Sequence, residues 1–189
     1  MIDSAPGCAF PMASEQIGEL KKWVSELARV GDERENVRLN RAVELIAKNF
    51  GVRPHEVAIL GFTADERALR FLAPENLRPV GEIPMTSISS LAVRTARDKK
   101  PELVNHFSMV PHASVFEGVP IGEDLRPEPI HKIMSAPILL GAKVVGVLQV
   151  SRKASDASEA GPDFTPAQLR ELLVVCDALA PCVLLCRNP

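Results

Sequence analysis

The sequence predicts an α/β (α+β) domain: a mostly antiparallel central sheet with helices from the two ends of the chain on one face. Three observations predict it. Both ends carry apolar residues at helical spacing, within 14–50 and again within 165–186. Between them lie two pairs of short β-rich runs, each pair joined by a polar or glycine turn. The last of these runs holds Val144, Val145, Val147, Leu148 and Val150, apolar toward both faces, which places it in the middle of the sheet.

The elements follow in order. Residues 1–13 contain Pro and Ala without a period and read as a loose arm. Ser14 caps a first helix whose stripe is Ile17, Leu20, Val24, Leu27 and Ala28, so 14–35 reads as a helical extension. Gly31 breaks it, and Asp32 with Glu35 restarts a second helix carrying Leu39, Ala42, Val43, Ile46 and Phe50. Gly51 and Pro54 stop that helix. The main domain is expected over 36–187. Val57 to Phe62 and Ala68 to Ala73 flank the polar turn 63–67 as a hairpin. Residues 74–85, with Pro74, Pro79, Gly81 and Pro84, read as loop. Ser87 to Ala96 spaces Ile88, Leu91, Ala92 and Thr95 as a short helix, and Glu102 to Asn105 as a brief strand. Residues 106–131 hold four prolines, two glycines and three of the four histidines. An irregular stretch of that length in a compact domain is usually functional. Ile133 to Leu140 and Lys143 to Ser151 form the second hairpin about Gly141-Ala142, a type II′ pattern. A linker over 152–163 leads to Thr165-Pro166-Ala167-Gln168, a capping box with Pro at the first helical position. The helix it opens carries Leu169, Leu172, Leu173, Cys176, Leu179, Ala180 and Val183, and Pro181 is expected to kink or end it.

Composition narrows the function classes. The 189 residues suit one domain, and 46% are hydrophobic, which marks a globular chain. Only 4% are aromatic, so Leu, Val, Ile and Ala must build the core. Basic residues number 22 and acidic 24, for a net charge of -2, and no basic stripe exists to displace the counterions of a nucleic acid. No apolar window is long enough for a membrane span. The start, MIDSAPGCAFPMASEQ, lacks the basic and apolar regions of a signal peptide. The cysteines, at 8, 176, 182 and 186, do not make a spaced disulfide framework, so a cytoplasmic setting is expected.

Three segments carry a family resemblance. Gly81-Glu82-Ile83-Pro84 leads into the 87–96 helix and then Pro101-Glu102-Leu103-Val104-Asn105. Residues 135–148, SAPILLGAKVVGVL, form a hairpin about a glycine, and Asp163-Phe164-Thr165-Pro166 opens the last helix. In this order, over 36–186, they resemble the GAF domain, the small-molecule-sensing relative of the PAS fold. The resemblance implies a GAF-like fold with the terminal helices on one face of the sheet and a ligand-pocket side on the other. The family includes cyclic-nucleotide, bilin, haem and amino-acid sensors and a stand-alone enzyme, and fold does not choose among them.

The residues weigh against several of these. A cyclic-nucleotide site carries a dispersed Asn-Lys-Phe-Asp-Glu signature, and only Asn105 and Phe107 answer to it. A bilin needs a cysteine, and 51–175 has none. The free methionine sulfoxide reductase subgroup needs a nucleophilic and a resolving cysteine in its pocket loops, and 106–131 supplies neither. Cys182 and Cys186 share a helix face six residues and more beyond Cys176, a spacing that suits small buried hydrophobes better than a zinc site. His106, His112 and His131 stand as pocket-lining groups, haem ligands, pH-sensitive groups or solvated loop histidines.

No catalytic or metal-ligating set is assigned, and the cofactor is unknown. A ligand is expected between the sheet and 106–131, with Phe71, Ile88 and Phe107 supplying apolar area and His112, Arg126, His131 and Ser135 polar anchors. The last helix is apolar almost all round, which points to a homodimer through Leu20, Leu27, Leu172, Cys176, Leu179 and Val183. With no kinase, cyclase, ATPase or helix-turn-helix segment in the sequence, output is expected through a partner protein. The expected function is a non-catalytic sensor or regulatory module. The alternatives are a small redox enzyme of the reductase type and a degenerate GAF domain serving only as a dimerisation scaffold.

Overall fold

Helix α1 (Glu35–Phe50) turns Leu39, Ala42, Val43, Ile46, Ala47 and Phe50 onto the sheet, as its spacing predicts. Gly51, at φ 61, ends it. The computed structural model describes residues 18, 22, 35–109 and 128–186. The arm, the stripe of the first helix, and the bulk of the irregular segment, including His112 and Arg126, lie outside these residues.

Strands β1 (Val57–Phe62) and β2 (Ala68–Ala73) form the expected first hairpin. Strand β3 (Glu82–Pro84), helix α2 (Leu91–Asp98) and strand β4 (Glu102–Val104) follow. Strands β5 (Ile130–Leu140) and β6 (Lys143–Lys153) make a long hairpin, with Gly141 at φ 60 in the two-residue turn. Helix α3 (Pro166–Leu185) closes the described chain. The sheet runs β3-β2-β1-β6-β5-β4, and every neighbouring pair is antiparallel. Strand β6 is central, as its two-sided apolar run requires.

Each face of the sheet has its own core. On one, α1 and α3 cover Ile59, Leu72, Met134, Ala136, Ile138, Leu148 and Val150. On the other, α2 and Phe107 cover Ala58, Leu60, Leu69, Phe71, Ile133 and Val147. Gly146 marks the tightest approach: a Cβ there would lie 2.3 Å from the Leu60 carbonyl oxygen and 2.9 Å from Val183 Cγ1.

Four expectations are corrected. The 87–96 helix starts at Leu91, because Ser90 Oγ accepts from the Val93 amide at 3.3 Å and sets the cap there. Ile88 therefore stands before the helix and is 91% exposed. Residues 74–85 are not plain loop: a 3-10 helix, Glu75–Val80, leads into β3, whose three residues extend the sheet beyond β2. The second hairpin is longer than its apolar runs, starting at Ile130 and ending at Lys153, because backbone pairing continues where the side chains turn polar. Helix α3 does not end at Pro181, one of the two outcomes expected there, and runs to Leu185. The proline forfeits one backbone bond near the last turn, and Cys182 and Val183 beyond it stay buried, so packing carries the helix on.

Candidate functional site

Period-2 alternation at the end of β6 sends Leu148, Val150 and Arg152 to the α1–α3 face and Gln149, Ser151 and Lys153 to the other. On β5, Ser135 lies directly opposite Gln149. A polar array therefore forms beneath α2 in a face otherwise built from apolar side chains. Thr95 of α2 and Ser135 are both fully buried, and their hydroxyls are 2.8 Å apart. Gln149 Nε2 donates to Ser135 Oγ at 3.2 Å. Ser151 Oγ donates to the Glu56 carbonyl at 2.9 Å. Buried hydroxyls and amides cost stability unless paired, so such an array in an apolar face needs a reason.

The array continues into an ionic cluster at the strand end. The buried Glu56 carboxylate accepts from the backbone amides of Lys153 and Arg53, each at 2.6 Å, and from Arg53 Nη2 at 3.1 Å. Burial alone would raise its pKa, but these three donors outweigh it and hold the carboxyl below its ordinary value. Arg53 Nη2 also donates to Glu128 Oε2 at 2.6 Å and to the Lys153 carbonyl at 2.7 Å. Its pKa is raised, chiefly by the bond to Glu56 and against the effect of burial. These groups line a cleft of about 300 Å³ that also touches Arg152, Ser155 and Glu159.

Of the residues singled out from the sequence, Phe71, Phe107 and Ser135 all lie buried on the α2 side of the sheet, Phe71 on β2 and Ser135 on β5 with β1 and β6 between them. His131 is buried at the start of β5 rather than solvated, with Nδ1 3.2 Å from Ser108 Oγ and Nε2 3.1 Å from the Ala154 carbonyl. Ile88 does not join them: its solvent-facing position before α2 removes it from any pocket floor. Thr95, Gln149, Ser151, Glu56 and Arg53 were not singled out. Their signal was the polar alternation at 149, 151 and 153 after an apolar strand, which reads as the strand's end until β5 is paired beside it.

The cysteines lie on the other face. Cys176, Cys182 and Cys186 are buried in the α1–α3 core. Burial pushes the Cys176 thiol far up, with the Asp177 charge adding to it, and Sγ lies 4.0 Å from the Ala136 carbonyl oxygen. The contact expected between subunits through Leu172, Cys176, Leu179 and Val183 is corrected here. All four are buried within the chain itself, where one side of α3 meets the sheet and its flank meets α1. Helix α3 instead leaves Asp177, Pro181, Leu184 and Leu185 exposed. Leu20 and Leu27 lie outside the described residues. No described helix is long and apolar enough to cross a membrane.

The family model of the GAF domain matches residues 35–183. No curated protein matches the sequence. Among solved structures, the GAF domain of an Acinetobacter phosphoenolpyruvate-protein phosphotransferase is 17% identical, with 91% of this chain and 94% of that one covered and a TM-score of 0.64. A free methionine-R-sulfoxide reductase from Neisseria meningitidis, in complex with its substrate, is 10% identical, with 96% and 97% covered and a TM-score of 0.61. A methyl-accepting chemotaxis protein is 14% identical, with 86% and 96% covered and a TM-score of 0.56. At these identities the likeness is one of fold.

Proposed function

The chain belongs to the GAF domain family over residues 35–183, and from that premise we propose that it is a non-catalytic, cytoplasmic small-molecule sensor or regulatory module that acts as a homodimer on a partner protein. The observation that carries this reading is the buried Thr95–Ser135–Gln149–Ser151 array on the α2 face. A core needs no such array, whereas a ligand floor needs apolar area with a few fixed polar groups. The similar folds of the phosphotransferase and chemotaxis proteins agree with regulatory use.

The reductase likeness favours a second reading, in which the domain reduces a free sulfoxide. That chemistry needs a thiolate on the pocket side, and the described cysteines sit in the opposite core, with Cys176 held protonated by burial. Native mass spectrometry of freshly purified protein decides between the two. The sensor reading expects a small-molecule mass that is lost on denaturation and reduced in Gln149→Leu. A bare chain in every preparation, together with thiol-dependent reduction of free methionine sulfoxide, would overturn it.

A further inference from the structure

Ser108 lies in the 3-10 turn Phe107–Met109 that follows β4, and it is exposed. His131 beside it is 8% exposed. The Ala154 carbonyl oxygen, 3.1 Å from Nε2, can only accept, so Nε2 carries the ring proton and donates it. Nδ1 is then left with its lone pair, and the Ser108 hydroxyl, 3.2 Å away, donates to it. A solvent-open hydroxyl is thus bonded to an imidazole whose tautomer is fixed from behind by a backbone acceptor. Nucleophile, base and orienting group stand in the sequence that activated serines use on unrelated folds.

We propose that Ser108 is an activated nucleophile, with His131 as its general base, and that it accepts acyl groups from small carboxylic esters. The Ser108 proton moves to Nδ1 as Oγ forms a bond to the ester carbonyl carbon. The carbonyl π pair moves onto oxygen and then returns as the carbon–alkoxy bond breaks, and the leaving alkoxide takes the proton from Nδ1. Water, deprotonated in turn by Nδ1, releases the acyl group as a carboxylic acid and restores Ser108. No oxidant, reductant or metal enters the balance. The chemistry uses nothing of the Gln149 array: it adds a catalytic activity at a separate place in the domain, and the non-catalytic reading then holds for the array alone.

The test is labelling of the full chain with a fluorophosphonate, in which Oγ replaces fluoride on phosphorus. One adduct is expected, mapped to Ser108 by peptide mass spectrometry, absent in Ser108→Ala and absent when urea precedes the probe. With p-nitrophenyl acetate, a burst of about one p-nitrophenolate per chain is expected, and its rate should fall at least ~100-fold in His131→Gln. An unlabelled Ser108 in the folded protein, or equal labelling of the unfolded chain, overturns the proposal. The Ser108→Ala and urea arms hold even if His131→Gln fails to fold. Because Ser108 is exposed and outside the array, Ser108→Ala should keep any ligand seen by native mass spectrometry, so this proposal and the sensor reading fail separately.

Discussion

Two side chains at the end of β6 show how single residues hold the fold. Arg152 donates to the carbonyls of Phe50 and Gly51 at 3.3 and 3.1 Å, where α1 ends, and its guanidinium lies 4.7 Å from the centroid of the Phe164 ring. It thus meets the negative end of one helix and covers an aromatic that precedes another. Its Nε is buried without a hydrogen bond, which offsets part of the gain. Arg152→Ala should cost about 2 kcal/mol in urea unfolding, and Arg152→Lys less. Glu56 acts through pH. Its folded pKa lies below the ordinary 4.5, so its contribution is complete above that value and is lost as pH falls through the folded pKa. Glu56→Gln should cost roughly 2–4 kcal/mol at pH 7. The gap between variant and wild type should narrow in acid; a gap constant from pH 7 to 3 would contradict this account. Neither role was legible beforehand: Arg152 bonds to carbonyls 101 and 102 residues away, and Glu56, although Arg53 is three residues off, is completed only by the Lys153 amide 97 residues on.

At the scale of elements, strong local chemistry was legible and pairing was not. The Thr165–Gln168 capping box needs four adjacent residues, and it forms as read, with the Gln168 amide donating to Thr165 Oγ1 at 3.2 Å and the Thr165 amide to Gln168 Oε1 at 3.0 Å. The first hairpin and the Gly141 turn were readable for the same reason. Strand β3 was hidden because its pairing with β2 lends order to Glu82-Ile83-Pro84, which has little β-propensity of its own. The first turn of α2 was misplaced because Ile88 fits the helical spacing, while the cap at Ser90 decides where the helix begins. Packing between elements gives two predictions. Gly146→Ala forces a methyl group against the backbone of β1 and against Val183, and should cost at least about 2 kcal/mol, read as a lower midpoint in thermal unfolding. Leu179 is 1% exposed within its own chain, so Leu179→Glu should abolish the folded state rather than release an intact monomer. A folded, monomeric Leu179→Glu protein would contradict the placement of α3.

For the whole molecule, composition and element order were enough to reach the two-faced sheet, because each face needs an apolar stripe that the sequence displays. The site was only partly legible. Phe71, Phe107 and Ser135 could be placed, but Thr95 and Gln149 read as ordinary polar residues until the fold joined them. The homodimer proposal must now use surface other than the four buried α3 residues. It expects a dimer in sedimentation equilibrium at micromolar concentration and weakening by Leu185→Glu, since Leu185 is 49% exposed; a monomer at high micromolar concentration would remove it. The sheet order has a last consequence, for synthesis on the ribosome. Val57 of β1 pairs with Val150 of β6, so the β1–β2 hairpin emerges first and then waits for the residues from Pro74 to Val150 to be made. Until β6 arrives, the apolar edge of β1 stays open to other nascent chains. Completion of the sheet is therefore tied to the synthesis of β6, and a chain halted before Val150 has no middle to its sheet.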